Sequence, residues 1–178
     1  NATGVVDGET RDDYRVFADA VLKAAAGRKR LLFRSAASLL TALAKLPPQP
    51  VAAESFATLV RDGQPGAIVV GSHVAKTTAQ LTALLKKRGV IGLPLDVARL
   101  PDARAAIVDE LTASIAHAHA CGLTPVVFTS RTELSFASVA ERLAFGESVS
   151  GTLMDVVRRL PTTLGFLISK GGITSNDV

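Results

Sequence analysis

"AIVVGSHVAKTTAQLTALLKKRGVIGLPLD", residues 67–96, decides the fold class because two kinds of apolar pattern alternate in it. Residues 67–70 form a short, unbroken apolar run, which is typical of a strand buried on both faces. Residues 77–89 then carry apolar side chains at helical spacing and end at a glycine, and residues 90–96 predict a second strand. The stretch therefore predicts two parallel strands joined by a helix.

The same alternation continues to the end of the sequence. A long helix is predicted over 101–122, a strand over 124–130, and a helical stretch over 135–160 that Gly146 could interrupt. The closing run "LGFLIS", residues 164–169, predicts a buried strand. Four strands separated by helices predict an α/β fold, namely a three-layer, largely parallel sheet with helices on both faces.

The first 46 residues read as a separate piece of structure. Short apolar runs at 3–10 and 30–35, each followed by a helical pattern, predict a β-α-β-α fragment of a second α/β domain. Three prolines between residues 47 and 50 and the turn at 63–66 forbid regular structure, so residues 47–66 are interpreted as a linker. Residues 67–178 are then one domain, expected to be incomplete at its C-terminus.

Composition excludes several classes of function. The net charge of +4 comes mainly from basic clusters at predicted helix ends, and aromatic residues make up only 4%, so nucleic-acid binding is not predicted. No apolar run reaches membrane-spanning length, and the single cysteine allows no internal disulfide, so a cytoplasmic protein is expected. His117 and His119 are two residues apart on a helix, and no metal site is predicted.

Small polar residues follow the first strand of the domain, where parallel sheets bind ligands. Gly71 lets the backbone turn, and Ser72 has two interpretations. Its hydroxyl could cap the following helix, or it could donate to a phosphate. After the third strand, Thr129, Ser130 and Arg131 could present two hydroxyls and a cation to an anion, or they could be an ordinary polar loop.

The C-terminal loop "KGGITSNDV", residues 170–178, is the third strand end of this kind. Gly171 and Gly172 permit positive φ, so their N–H groups can converge on an anion. The helix predicted near Thr174 adds the positive end of its dipole, and Lys170 adds a charge. Neither a P-loop motif nor a dinucleotide-binding glycine motif occurs, so the loop predicts an anion site without naming the anion.

These segments together resemble the four-carbon acid sugar kinase family. "VVGSHVAKTTAQLTAL" resembles its GS-x(4)-T-x-x-Q segment, "KGGITSNDV" its GGxT(S/A) loop, and "ACGLTPVVFTSR" the strand between them. "VVDGETRDDYRVFADAV" and "LLFRSAASLL" resemble the last elements of its substrate domain. The family's acidic DDxTG-type motif does not occur in this sequence.

The resemblance implies a fragment of an ATP-dependent kinase that phosphorylates a sugar acid of the 3-oxo-tetronate, threonate or erythronate type, with Mg²⁺. It assigns nucleotide contacts to Ser72, Gly171, Gly172, Ile173 and Thr174, and residues 1–46 to the end of the substrate domain. It names no catalytic residue in this chain and implies that the chain alone is inactive. A non-catalytic module binding a nucleotide or phosphometabolite is the alternative, and the sequence leaves open whether the chain forms a homodimer.

Overall fold

A computed structural model describes residues 3–131 and 134–178 of the chain. Asn1 and Ala2, with which the predicted substrate-domain fragment begins, and Thr132 and Glu133, which follow the third strand end, lie outside the described residues. The chain divides into two compact units, Asn1–Val51 and Ala52–Val178. The division falls inside the range interpreted as a linker.

Six helices and four strands are found in the described residues. In chain order they are α1 (Arg11–Ala26), α2 (Ala37–Leu43), β1 (Ala67–Val70), α3 (Ala75–Leu84), β2 (Val90–Leu95), α4 (Leu100–Ala120), β3 (Thr124–Thr129), α5 (Val139–Arg158), β4 (Leu167–Lys170) and α6 (Gly172–Asp177). Short 3-10 helices occur at Ala53–Leu59, Arg61–Gly63 and Val97–Arg99.

The first unit consists of the two packed helices α1 and α2. Helix α1 begins with a capping box: the Thr10 N–H donates to the Asp13 carboxylate at 2.8 Å, and the Asp13 N–H donates to the Thr10 hydroxyl at 3.2 Å. Ala18 and Val21 of α1 and Leu39 of α2 are the buried apolar residues. The two predicted helices are therefore present.

The two strands predicted for this unit are not formed. Residues 3–10 and 28–36 contain no strand, and Leu32 is fully exposed at 100%. An extended segment needs a neighbouring strand to accept and donate its backbone hydrogen bonds, and the described residues of this unit offer none. The predicted β-α-β-α fragment is thus an α-α pair with extended flanks.

The second unit is built on a parallel sheet with the strand order β2-β3-β1-β4. The central strand β1 pairs with β3, with Val69 opposite Val127, and on its other side with β4, with Val70 opposite Lys170. All four residues of β1 are buried, as its unbroken apolar run predicts. The predicted parallel sheet is confirmed.

Helices cover both faces of this sheet, which confirms the three-layer architecture. Alternate residues of the strands point to opposite faces. One face packs on α4 and α5 through a cluster that includes Val69, Val127, Ile115 and Leu153. The other packs on α3 through Ile68, Val70, Leu81 and Val126. Helix α5 is continuous from Val139 to Arg158, so Gly146 does not interrupt it.

Strand β4 is an exposed edge strand, which differs from the buried strand predicted for "LGFLIS". Leu167 and Ile168 are 41% and 49% exposed. Only one side of β4 is paired, because β1 is its single neighbour among the described strands. An apolar run does not distinguish a central strand from an edge strand, since the pattern contains no information on how many neighbours the strand has.

A segment before β1 supports the start of β4. The Arg61 N–H donates to the Gly165 carbonyl at 2.9 Å, and the Gly165 N–H donates to the Pro65 carbonyl at 3.0 Å. A β-carbon on Gly165 would overlap the backbone of Gln64, so the close approach of the two segments requires glycine there. The entrance to β4 is thereby fixed beside β1.

Candidate functional site

The carboxyl ends of β1 and β3 meet at a topological switch point. The two strands are neighbours, but the helices that follow them lie on opposite faces of the sheet, α3 on one and α5 on the other. The chains leaving the strands therefore separate and leave a crevice between them. Open α/β sheets bind their ligands in such crevices.

The loop after β1 presents Ser72 at this edge. Helix α3 begins at Ala75, its N-cap is Val74, and no side chain caps it. Ser72 is thus two residues from the cap position, and the interpretation of Ser72 as the helix cap is wrong. Helix α3 begins two residues before the predicted start at residue 77, and the chain is extended at its N-cap, Val74.

Backbone carbonyls of the β1 loop are directed toward β3. The Thr129 hydroxyl donates to the Gly71 carbonyl at 3.1 Å, and the Arg131 guanidinium donates to the Ser72 carbonyl at 2.6 Å. In a trans peptide the N–H points opposite to the C=O. The N–H groups of Ser72 and His73 therefore point away from β3, and no described residue accepts a hydrogen bond from either nitrogen.

Gly171, at the end of β4, faces the Ser72 nitrogen. A β-carbon on Gly171 would lie 3.1 Å from that nitrogen and 3.2 Å from the Ser72 Cβ. Gly171 has φ +128°, a conformation that side-chain-bearing residues rarely adopt. Two features therefore favour glycine at position 171: the backbone has positive φ, and a side chain would obstruct the approach to the Ser72 N–H group.

Gly172 differs from its neighbour. It is the first residue of α6, it does not have positive φ, and a β-carbon on it would meet no atom within 4 Å. The expectation that the glycine pair contains a residue with positive φ is confirmed for Gly171 alone. Gly172 contributes an N–H group at the helix start and not a steric opening.

Thr174 connects the first and last loops through its side chain. It is 6% exposed, and a β-carbon on Gly71 would overlap its hydroxyl. Gly71 is therefore needed for the close packing of Thr174. The Thr174 hydroxyl is directed into this contact, whereas the predicted phosphate contact can come from its backbone N–H in the first turn of α6.

Lys170 and Ile173 flank the loop on the solvent side. The Lys170 carbonyl accepts the Gly71 N–H at 3.1 Å, while its side chain is exposed and, within the described ranges, forms no ion pair. Ile173 is 73% exposed. The structure thus brings Gly71, Ser72, Lys170, Gly171 and Thr174 together, and the remaining two predicted residues lie beside them.

The polar residues after β3 are directed into the protein. The Ser130 hydroxyl donates to the Leu95 carbonyl at 3.3 Å, and Arg131 donates to the Thr129 carbonyl from Nε at 2.9 Å and from Nη2 at 2.7 Å. Burial lowers the pKa of the Arg131 guanidinium. Of the two interpretations of this stretch, the structure favours an internal role for Thr129 and Ser130.

Residues 67–178, more than half of the chain, match the family described as the nucleotide-binding C-terminal domain. The chain belongs to this family. The nucleotide-binding C-terminal domain is part of the four-carbon acid sugar kinase family, so the resemblance drawn from the sequence is confirmed at the level of this domain. The match begins at the first residue of β1 and carries no information on residues 1–66. No curated protein matches the chain.

The matched range of this nucleotide-binding C-terminal domain contains the carboxyl ends of β1, β3 and β4. In the described parts of the chain, no group of three or more histidine, cysteine, aspartate or glutamate residues could hold a metal ion. Among the described residues, no helix is both long enough and apolar enough to cross a bilayer.

Arg131 is the residue of this domain that the sequence underrated. Its position after a Thr-Ser strand end was visible, but its contact with Ser72 joins residues 59 positions apart in the chain. No local pattern carries that information. The signal that could have found it is the placement of an arginine directly after a predicted strand of a parallel sheet, where such sheets bind ligands.

Proposed function

We propose that the chain carries the ATP-binding part of an ATP-dependent kinase that phosphorylates a four-carbon sugar acid of the 3-oxo-tetronate, threonate or erythronate type. The observation that carries the proposal is the apposition of Ser72 and Gly171 at the carboxyl ends of the adjacent strands β1 and β4. A β-carbon on Gly171 would lie 3.1 Å from the Ser72 nitrogen, and no described residue accepts a hydrogen bond from that N–H group. Such N–H groups are the usual protein partners of phosphate.

Each predicted residue has a distinct role in this proposal. Ser72 supplies an N–H group and a hydroxyl, and Gly171 leaves the approach open. Gly172, Ile173 and Thr174 supply the N–H groups of the first turn of α6, which have no partners within the helix. Lys170 supplies a mobile positive charge at the edge of the site. Gly71 acts indirectly, by allowing Thr174 to pack and so fixing the start of α6.

These N–H groups, together with the Ser72 hydroxyl and the Lys170 charge, suit phosphoryl transfer. In that reaction, positioning and charge neutralisation matter more than covalent chemistry by the protein. Mg²⁺ is usually held by one or two carboxylates together with the phosphates of the nucleotide. No group of three or more histidine, cysteine, aspartate or glutamate residues in the described ranges could hold a metal ion, and Mg²⁺ is therefore expected to arrive with ATP and to be held mainly by its phosphates. When bound, it would neutralise charge on the phosphate oxygens.

The sugar acid and its activation are assigned to residues outside the site described here. Removal of the hydroxyl proton needs a base within hydrogen-bond reach of the acceptor, and no residue of this chain is assigned that role. Residues 1–46 are proposed to be the end of the substrate domain. The 178-residue chain alone is therefore expected to bind ATP without phosphorylating a sugar acid.

Calorimetric titration of the chain with Mg-ATP tests the nucleotide part of the proposal. We expect saturable binding of one ATP per chain, and the absence of heat at millimolar ATP would contradict it. The kinase part is tested with a protein that joins this chain to a complete sugar-acid-binding domain. ADP release that depends on a four-carbon sugar acid supports a kinase, whereas ATP binding without any such release would favour a non-catalytic nucleotide-binding module.

A further inference from the structure

We propose that Arg131 is a positioning residue for the nucleotide site, which fixes the orientation of the β1 loop so that the Ser72 and His73 N–H groups face the phosphates. The inference rests on the proposed function and adds to it a residue that contacts the loop instead of the ligand. Arg131 lies in the loop after β3, across the switch point from Ser72.

The guanidinium joins the two strand ends by a defined set of hydrogen bonds. Nη1 donates to the Ser72 carbonyl at 2.6 Å. Nε and Nη2 both donate to the Thr129 carbonyl, and Nη2 also donates to the Thr129 hydroxyl at 2.8 Å. The guanidinium carbon lies 5.9 Å from the centre of the Phe128 ring. The group is thus held by its own strand on one side and holds the β1 loop on the other.

The Thr129 hydroxyl completes the arrangement. It accepts from Arg131 and donates to the Gly71 carbonyl at 3.1 Å. The carbonyls of Gly71 and Ser72 are therefore both bonded toward β3. Since each peptide is planar, fixing two successive carbonyls also fixes the N–H groups of Ser72 and His73 on the opposite side.

Arginine suits this task better than lysine. Its planar fork donates along several fixed directions at once, whereas the ammonium group of lysine is a compact point charge on a flexible four-carbon stem. A lysine at this position keeps the positive charge but cannot bond Thr129 and Ser72 in the same geometry. Arg131→Lys changes the hydrogen-bond geometry and keeps the charge, whereas Arg131→Gln changes both. Comparing the two variants therefore separates the effect of the orientation of the β1 loop from the effect of the charge.

The experiment measures Mg-ATP affinity and the backbone amide spectrum of the ¹⁵N-labelled 178-residue chain. We expect both Arg131→Lys and Arg131→Gln to weaken ATP binding by about tenfold or more, because a hydrogen bond to a charged phosphate is lost or misaligned. In the wild type, Mg-ATP should shift the amide signals of Ser72 and His73. In Arg131→Lys these two shifts should be lost while the Gly172 signal still responds.

Two further variants control the result. Arg88→Gln removes one exposed cation near the start of β2, at the opposite edge of the sheet, and should leave ATP affinity within about twofold. Thr129→Val removes the hydroxyl that links Arg131 to Gly71 and keeps a side chain of the same shape. Thr129→Val should also weaken ATP binding. It replaces Arg131→Lys as the test of the positioning role if Arg131→Lys does not fold.

The outcomes separate this inference from the proposed function. A wild-type chain that does not bind ATP overturns both. A wild-type chain that binds ATP, with Arg131→Lys binding equally well, overturns only the positioning role. A folded Arg131→Lys protein with weak ATP binding but normal shifts at Ser72 and His73 also overturns it, because the loss of affinity would then not come from the orientation of the β1 loop.

Discussion

The buried hydroxyl of Thr174 lies in the space that a β-carbon on Gly71 would occupy, so the first and last loops of the site are packed directly on each other. Residues more than 100 positions apart in the chain thus share one steric constraint. The shape of the site depends on this contact as well as on the groups that face the ligand.

Gly71→Ala should destabilise the domain by about 1–3 kcal/mol, as overpacking of a well-packed interior does. Thr174→Ala removes the hydroxyl that the new methyl group would meet, although the Thr174 Cβ would still lie 3.2 Å away. The double variant should therefore lose less stability than the sum of the two single variants. Urea denaturation of the four proteins measures this coupling, and strictly additive losses would contradict the contact.

Gly171→Ala should reduce ATP affinity by about tenfold or more, because the added methyl group enters the approach to the Ser72 N–H and the backbone conformation is strained. Gly172→Ala is the matched control. Its β-carbon would lie in open space at normal φ, so ATP affinity should stay within about twofold. Of the two glycines for which the sequence predicts the same role, only Gly171 has positive φ.

Equal ATP affinity in Gly171→Ala and wild type, measured by calorimetry on proteins with matching circular dichroism, would mean that the loop is only a turn. Equal losses in Gly171→Ala and Gly172→Ala would point instead to a general disturbance of α6.

Ser72→Ala should weaken ATP binding with little change in stability, because Ser72 caps no helix. Ser138 provides the control, since its hydroxyl accepts the Glu141 N–H at 3.1 Å and caps α5. Ser138→Ala should lower stability by about 1 kcal/mol and leave ATP affinity unchanged. Thermal melting and ATP titration of both variants check that Ser72→Ala lowers affinity only and that Ser138→Ala lowers stability only. A stability loss in Ser72→Ala equal to that in Ser138→Ala would return Ser72 to a structural role.

Acid should remove a stabilising interaction between α4 and α5. The hydrogen bond from Arg104 to Asp155, at 2.7 Å, is the main cause that lowers the pKa of Asp155, and Arg158 adds to it. Because the folded-state pKa lies below the unfolded one, the stabilisation is complete above the unfolded pKa and is lost as pH falls through the folded pKa.

Asp155→Asn should therefore lower stability near neutral pH, by less than about 1 kcal/mol because the pair is partly exposed. It should also flatten the fall in the urea midpoint between about pH 5 and pH 2. Arg104→Gln should remove most of the same acid dependence. An unchanged pH profile in both variants would show that the pair contributes nothing.

The sequence predicted the sheet well because its signals are local. Uninterrupted apolar runs at 67–70 and 125–128 identify buried strands whatever their partners are. The same kind of run failed at 3–10 and 30–35, where no neighbouring strand is present, and it misjudged the burial of β4. Strand formation and burial depend on pairing with other strands, and the sequence of a single segment does not contain that information.

The site shows the same limit. The residue types at the strand ends pointed to Ser72 and Gly171, which the structure brings together. The sequence could not assign the positive φ to Gly171 in place of Gly172, or place the cap of α3 at Val74, because both depend on where a helix begins. The contacts of Arg131 with Ser72 and of Thr174 with Gly71 depend on the folded topology.

The exposed edge position of β4 has a consequence for how strongly any nucleotide can bind. One wall of the site stands on β1, which is buried throughout, and the other on the short strand β4, which pairs on one side only. Local opening of such an edge is easier than global unfolding. Only molecules in which β4 is paired with β1 present both sides of the site to the nucleotide. The measured dissociation constant is therefore the intrinsic one divided by the fraction of molecules in which β4 is paired. Residues 61–66 hold the start of β4 beside β1. Substitutions there, far from the phosphates, should then change ATP affinity by changing the fraction of molecules in which β4 is paired.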